Sequence, residues 1–565
     1  MRHALLVLAL LAAGCAAPAP GERDGPAAPP GPRAFAVAPP ERLAFTMSDG
    51  VVLDAVAWRP AGLERGPVIL HALPYASVCT PAASDAPYPK PCAPDLMDEF
   101  WLDEYNGLPR ALVESGYAFL DLSVRGTGAS GGCFSYLGPR ERKDLGEVLD
   151  QLAGFAWAGE VGMVGLSYMS ITPLEAMAER PGRVKAVVLG GIGFDEYTFA
   201  FSPQGASSLR AQSFWGAWLS SVQGPPVASQ RALAAYAGRA CPDLVPLATT
   251  MPLAHAMDER PRGHFLERRY LDAVRGLPTG ILVVQGVLDR SGGQQVEFLW
   301  PALEGTPRAL VLGQWDHRFP DDAMLAGSGL RWPGLPLAWL DHFLRGGPVP
   351  EALGRVHVQV EGRGWEAHDA WPPTPRGEAL YVGATLAPAP SPGSVSFRAA
   401  PEARACRGEE GTWHVALSEP LAAPVALVGN PMAWLEVTSA SPSATVAVDL
   451  WDVPGDDVCA GRLVSFGAAD LRFRNDPFRG EDVPVGVPQG TRVDMHAAAW
   501  VVPAGHRLAV TLSAAGEHGA SGRPAAGTLT VGGASHVLLP TQDGIGAPPP
   551  PVAYPPRPMG PDWRG

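Results

Sequence analysis

Gly162-Met163-Val164-Gly165-Leu166-Ser167-Tyr168 decides the reading of this chain. A short apolar run ends in Gly-x-Ser and passes into a helix-compatible stretch over 171–177. A serine on so sharp a strand-to-helix turn has its hydroxyl exposed, and the first free N–H groups of the helix face an oxyanion developing beside it. Met169 stands where the Gly-x-Ser-x-Gly pattern has its second glycine, so the motif needs partners, expected downstream as acid and then histidine. Gly280-Ile281-Leu282-Val283-Val284-Gln285-Gly286 reads as a buried strand and is followed by Val287-Leu288-Asp289. A second strand, Ala309-Leu310-Val311-Leu312-Gly313, is followed by Gln314-Trp315-Asp316-His317. In an open parallel sheet the carboxyl ends of the strands share one edge, so Ser167, Asp289 and His317 can converge although they are distant in sequence.

The chemistry fits those residue types. A serine hydroxyl is a weak nucleophile near neutrality unless a base takes its proton, and histidine is the side chain whose ordinary pKa suits that task. Asp289 would fix the tautomer of His317. Asp316 is the rival acid, ranked second because neighbouring loop residues seldom point at each other.

Further pieces extend the pattern: Ser48-Asp49-Gly50-Val51-Val52-Leu53, Pro74-Tyr75 after an apolar strand, Val124-Arg125-Gly126-Thr127-Gly128-Ala129-Ser130-Gly131-Gly132, and Ala504-Gly505-His506-Arg507-Leu508. With Gly165-Leu166-Ser167-Tyr168-Met169-Ser170 they make the chain resemble the CocE/NonD hydrolases, the family of cocaine esterase, X-prolyl dipeptidyl-peptidases and α-amino-acid ester hydrolases. That family carries Gly-x-Ser-Tyr-x-Gly, so Ser170 occupies the place of its second glycine. The resemblance implies an α/β-hydrolase core with an inserted helical cap and a C-terminal all-β jelly-roll domain packed against it. It also implies an oxyanion hole made by the Tyr75 side-chain hydroxyl and the Tyr168 backbone N–H, where one donor is typically worth about a hundred- to thousandfold in turnover. The Arg125 loop lacks the Lys-Ser/Thr of a phosphate cradle and reads as a tight turn.

At 565 residues the chain calls for two or three domains, and its net charge of −14 argues against a nucleic-acid surface. Met1-Arg2-His3, the apolar run over 4–13 and Gly14-Cys15-Ala16 read as a lipoprotein leader cut before Cys15. The run is too short to span a membrane. Ala12 stands where leucine is usual before the lipidated cysteine, so ordinary cleavage after an alanine is the alternative; both give export, and the lipid reading favours the outer membrane. Six other cysteines in an oxidising compartment suggest disulfides. Cys79 with Cys92 would close the Pro-rich insertion after Tyr75, and Cys406 with Cys459 share the C-terminal region. No Cys-x-x-Cys or His-Glu-x-x-His spacing occurs, so neither metal nor cofactor is expected.

The expected organisation is a leader and anchor over 1–15, a flexible Ala/Pro/Gly tether over 16–33, a catalytic domain over 34–193 and 272–347, a helical cap over 194–271, a β-sandwich over 348–546 and a Pro-rich tail over 547–565. The end of the catalytic domain is punctuated by Gly346-Gly347-Pro348, and Val356-His357-Val358-Gln359-Val360 reads as the first strand of the sandwich. Within the cap, Trp215 and Trp218 are candidates for lining an acyl or leaving-group pocket, and Asp195 with Glu196 for holding a substrate α-ammonium. The expected function is hydrolysis of a small acyl ester or amide, with X-prolyl dipeptidyl-peptidase or α-amino-acid ester hydrolase activity as alternatives. A reading of another class is a non-catalytic envelope lipoprotein that binds through its β-region.

Overall fold

The computed structural model describes residues 35–74, 79–80, 90–91, 104–191, 205–208, 241, 267–289, 296–373, 377–400, 404–476, 479–516, 520–521, 527–542 and 544–545. The expected leader, tether, Pro-rich tail and almost all of the 194–271 cap lie outside them, as does Cys92 of the expected Cys79–Cys92 pair.

Ten strands form one large sheet: β1 (Glu41–Thr46), β2 (Val52–Trp58), β3 (Gly66–Leu73), β4 (Ala118–Ser123), β5 (Ala158–Leu166), β6 (Val184–Gly190), β7 (Gly280–Gly286), β8 (Arg308–Gly313), β9 (Val356–Val360) and β10 (Gly364–His368). Their order is β1-β2-β4-β3-β5-β6-β7-β8-β9-β10. Pairing is parallel from β4 through β9 and antiparallel at both ends. The continuous apolar strands follow from this arrangement, because a parallel sheet is covered on both faces. Every residue of β7 is buried.

Helices supply the cover. On α2 (Pro139–Leu152), Leu145, Val148, Leu149 and Leu152 recur at helical spacing and pack with Ile171 and Leu174 of α3 (Tyr168–Glu179) against one face. On the other face, Leu108, Leu112 and Val113 of α1 (Leu108–Glu114) join Trp339 and Leu340 of α4 (Gly334–Arg345) over Ile69, Val164 and Val188. α4 stops at Gly346 in a left-handed turn, whose N–H donates to His342 O.

The expected boundary at 347/348 is followed by two strands that belong to the catalytic sheet, which corrects the placement of Val356–Val360 in the sandwich. β9 lies parallel to β8, Leu310 opposite Val356 and Leu312 opposite Val358. The buried Val356, Val358 and Val360 join the apolar cluster under that sheet, where they find more cover than a free edge would give.

Beyond 377 the described residues form β-strands and loops, with two short 3-10 turns at Val458–Ala460 and Leu471–Phe473. One antiparallel sheet runs Leu386–Ala387, Glu378–Val382, His536–Leu539, Met432–Ser439, Thr528–Gly532, Ser394–Arg398, with Gln489–Asp494 also on Met432–Ser439. A second runs Trp413–Leu417, Arg507–Ser513, Thr445–Val453, Arg462–Asp470. Leu380, Leu435 and Val437 of the first meet Val448, Leu450 and Val510 of the second in one core, which makes a β-sandwich. Cys406 is bonded to Cys459 as expected from their shared region, and Cys133 to Cys241.

Candidate active site

β5 ends at Leu166 and α3 begins at Tyr168, which leaves Ser167 alone at the turn with φ 61° and ψ −128°. L residues seldom adopt that backbone, and it persists only where neighbours impose it. Ser167 N donates to Gly190 O of β6 at 3.0 Å, and Ser170 N donates back to Ser167 O at 2.8 Å. The Ser170 hydroxyl donates to the same carbonyl at 2.6 Å, so the residue standing for the second glycine helps to hold the turn. Gly165 is required here: a Cβ on it would lie 1.7 Å from Met169 O.

The loops after β7 and β8 are laced together. Val287 N donates to Gly313 O at 2.8 Å and Leu288 N to Trp315 O at 3.1 Å, which delivers the next residue, Asp289, beneath His317. Asp289 is buried; its Oδ2 accepts from Gln285 Nε2 at 3.0 Å and lies 2.8 Å from His317 Nδ1. Asp316 turns instead to the main chain, its Oδ1 accepting from His317 N at 2.8 Å. With Asp289 on Nδ1, the ring carries its proton there and leaves Nε2 as the acceptor a general base needs. On His317, burial pulls the pKa down, but the hydrogen bond and charge of Asp289, with Glu104 and Asp316 beyond, outweigh it and hold the imidazole above its ordinary value.

Strand β6 brings the two loops to one place. Gly190 takes the Ser167 N–H, while the next residue, Gly191, has φ 55° and would put a Cβ 2.6 Å from His317 Cε1. Ser167 and His317 thus flank consecutive glycines at the carboxyl edge of the sheet, where Asp289 also sits. Nothing in the local sequence around Gly191 singles it out; its role depends on which ring packs over it.

The side chain of Tyr168 points away from this edge into the core. Its hydroxyl donates to Glu141 Oε1 at 2.7 Å and accepts from Leu137 N at 3.0 Å. Burial pushes the Glu141 carboxyl up to about 7 against the hydrogen bonds of Tyr168 and Leu137. Glu175 on α3 is raised well above the carboxylate range, by burial first and then by the charge of Glu141. Sequence reading missed this acidic pair, although a glutamate inside an apolar helix was a visible signal. Arg125 is held by Asp144, through Nε at 2.6 Å and Nη2 at 2.7 Å, and by Asp49 at 2.9 Å. The glycine-rich turn is thereby pinned to the Ser48-Asp49-Gly50 hairpin. Tyr75, Asp195, Glu196, Trp215, Trp218 and Cys15 lie outside the described residues.

Comparison with known proteins agrees with this architecture. Residues 49–318 match the model of the X-Pro dipeptidyl-peptidase S15 family, and residues 349–542 match that of the X-Pro dipeptidyl-peptidase C-terminal non-catalytic domain. A protein of Mycobacterium bovis that carries the name of a serine esterase is 25% identical over 495 residues, 72% of this chain and 77% of the relative. Cocaine esterase of Rhodococcus is 25% identical over 298 residues, 48% of this chain and 47% of that enzyme. In fold, the chain is similar to an aminopeptidase of a marine-sediment Thaumarchaeota archaeon, with a TM-score of 0.66 at 18% identity over 92% of this chain and 99% of the other. An α-amino-acid ester hydrolase gives a TM-score of 0.64 at 18% identity over 93% and 99%. A catalytic and a C-terminal domain of the X-Pro dipeptidyl-peptidase family, matched in succession along one chain built on an α/β-hydrolase sheet, make this chain a serine hydrolase of the S15 and CocE/NonD family.

Proposed function

We propose that this protein is an exported hydrolase of small acyl esters or amides that works through an acyl-Ser167 intermediate. Ser167 Oγ attacks the carbonyl and passes its proton to His317 Nε2, while Asp289 holds the ring and faces the charge that forms. The oxyanion is received by the Tyr168 backbone N–H and the Tyr75 hydroxyl. The leaving group departs with the proton from His317, and a water activated by the same ring releases the acid. The observation that carries this reading is the strained Ser167 set beside the Gly190–Gly191 turn on which the Asp289-bound His317 packs.

The finer assignments rest on sequence. Asp195 and Glu196 would hold the α-ammonium of a peptide or amino-acid ester, Trp215 and Trp218 would line the acyl or leaving-group pocket, and Cys15 would carry the lipid that anchors the mature chain to the cell envelope. Mass spectrometry of the mature N-terminus reads that last assignment directly.

The deciding experiment compares the purified protein and Ser167→Ala on a short-chain nitrophenyl ester and on glycyl-prolyl nitroanilide. Cleavage of the ester alone, abolished in the variant, supports an esterase; variant-sensitive cleavage of the anilide moves the assignment to a dipeptidyl-peptidase. Undiminished fluorophosphonate labelling of Ser167→Ala would overturn the nucleophile.

A further inference from the structure

Beneath the nucleophile runs a buried hydrogen-bond chain that the reaction scheme does not use. Leu166 N donates to the Tyr105 hydroxyl at 2.9 Å, that hydroxyl lies 2.9 Å from His71 Nε2, and His71 Nδ1 lies 2.7 Å from Asp121 Oδ1. Tyr105, His71 and Asp121 are all buried. In the tautomer with its proton on Nδ1, facing Asp121, His71 presents Nε2 as the acceptor of the Tyr105 O–H, and the phenol oxygen accepts the Leu166 N–H.

The position of the first link is informative. Backbone groups of residues adjacent in a strand face opposite neighbours. Ser167 N–H points to Gly190 on the β6 side, so Leu166 N–H points to the β3 side. The β3–β5 pairing, however, ends with Leu70 opposite Met163. Leu166 N–H therefore lies past the end of that ladder, and the Tyr105 hydroxyl takes the place of a strand partner. A buried N–H left without an acceptor would be costly, and here it belongs to the residue preceding the nucleophile.

The same segment grips the histidine loop. Phe319 N donates to Glu104 O at 3.0 Å, Asn106 Nδ2 donates to Phe319 O at 2.6 Å, and the Tyr105 ring packs against Phe319 with centroids 5.2 Å apart. Trp332 Nε1 donates to Tyr105 O at 3.1 Å, and its ring stacks on Phe319 at 5.1 Å. The turn over 104–106 is thus the joint between the strand that presents Ser167 and the loop that presents His317.

We propose that Tyr105, backed by His71 and Asp121, is a positioning residue that sets Ser167 against His317. It fixes Leu166 through its hydroxyl and Phe319 of the histidine loop through its ring, while its carbonyl holds the Trp332 indole that stacks on Phe319. The proposal rests on Ser167 being the nucleophile. Tyr105→Phe keeps the ring and removes the acceptor, and a misplacement of about 1 Å at a reacting pair can cost on the order of a hundredfold in rate.

The test measures kcat and KM on the nitrophenyl ester, with the rate of Ser167 labelling by a fluorophosphonate, in wild type, Tyr105→Phe, Ser167→Ala and the sandwich-core variant Val448→Ala. Tyr105→Phe is expected to lower kcat and the labelling rate on the order of tenfold or more, with KM near wild type. Val448→Ala, which loosens the fold far from this edge, is expected to keep kcat. If Tyr105→Phe does not fold, His71→Asn takes its place: it keeps a donor for Asp121, is too short for the phenol, and should lower kcat in the same direction. Wild-type kcat in whichever variant folds, or an equal loss in Val448→Ala, overturns the positioning role while Ser167→Ala remains dead. Activity retained in Ser167→Ala overturns the underlying nucleophile instead.

Discussion

An imidazole acts as a base only when neutral, so in the proposed mechanism the carboxylate that orients His317 also sets the lower pH limit of turnover. Asp289 raises the His317 pKa, with Glu104 and Asp316 adding to it. Raising that pKa keeps the ring protonated, and the enzyme idle, to higher pH. The acidic limb of kcat/KM on the nitrophenyl ester is therefore expected to have its midpoint above about 6.5, the ordinary histidine value. Asp289→Asn removes the charge and lets burial dominate, moving the limb to lower pH. Its plateau should fall on the order of a thousand- to ten-thousandfold, because an amide can hold the wrong tautomer. A limb that stays in place in the variant would show that another group governs it. Ser167, Asp289 and His317 were legible because each is a reactive residue type just past an apolar strand. Tyr105 and Gly191 were not, because their roles arise from an N–H left beyond a ladder and from a ring packed overhead, and neither leaves a local signature.

The helices carry a second consequence of burial. On α3, Glu175 is fully buried, within electrostatic reach of Glu141 of α2 and beside the Tyr270 hydroxyl. Both carboxyls are raised, so the folded state binds protons that the unfolded chain has released. Below the unfolded value of about 4.5 both states are protonated and the pair costs nothing through ionisation; as pH rises through about 7 the folded state must ionise a buried acid, and stability is lost. Glu175→Gln removes one of the two acids. Its melting temperature, measured against wild type, should therefore shift in the variant's favour by on the order of one or two degrees from about pH 5 to about pH 8. A difference constant with pH would mean that Glu175 does not titrate with the fold. Strands and helices were readable from periodicity, since continuous apolar runs and spacings such as Leu145, Val148, Leu149 and Leu152 follow directly from burial. Which sheet a strand joins was not. Val356–Val360 alternates like a sandwich strand, and only its pairing with β8 assigns it to the catalytic sheet.

That strand also decides how the molecule holds together. Domains in one chain commonly meet through modest interfaces and move relative to one another. Here the connection is continuous. Glu361, just past β9, donates its N–H to Ala499 O at 3.0 Å and accepts from Val501 N at 2.9 Å, tying the catalytic sheet to the ladder of Val425–Gly429 and Ala498–Val502. Val356, Val358 and Val360 share one apolar cluster with Ala426, Val428 and Ala499. Gln314, three residues before His317, takes part as well: its N–H donates to Gln359 Oε1 at 2.9 Å, and its side-chain amide donates to Gln359 O at 2.8 Å and Ala499 O at 2.9 Å. The histidine loop is thus anchored to both parts. A shared core and a shared set of backbone bonds leave no plane along which the catalytic part could keep its site after the sandwich has melted. Scanning calorimetry is therefore expected to show one transition, with hydrolase activity lost along the same curve. Gln314→Ala should keep that single transition and lower its midpoint by about one or two degrees, since each hydrogen bond it removes is worth about 1 kcal/mol. Two resolved transitions in the wild type, with activity following only the second, would show instead that the catalytic part stands without the sandwich.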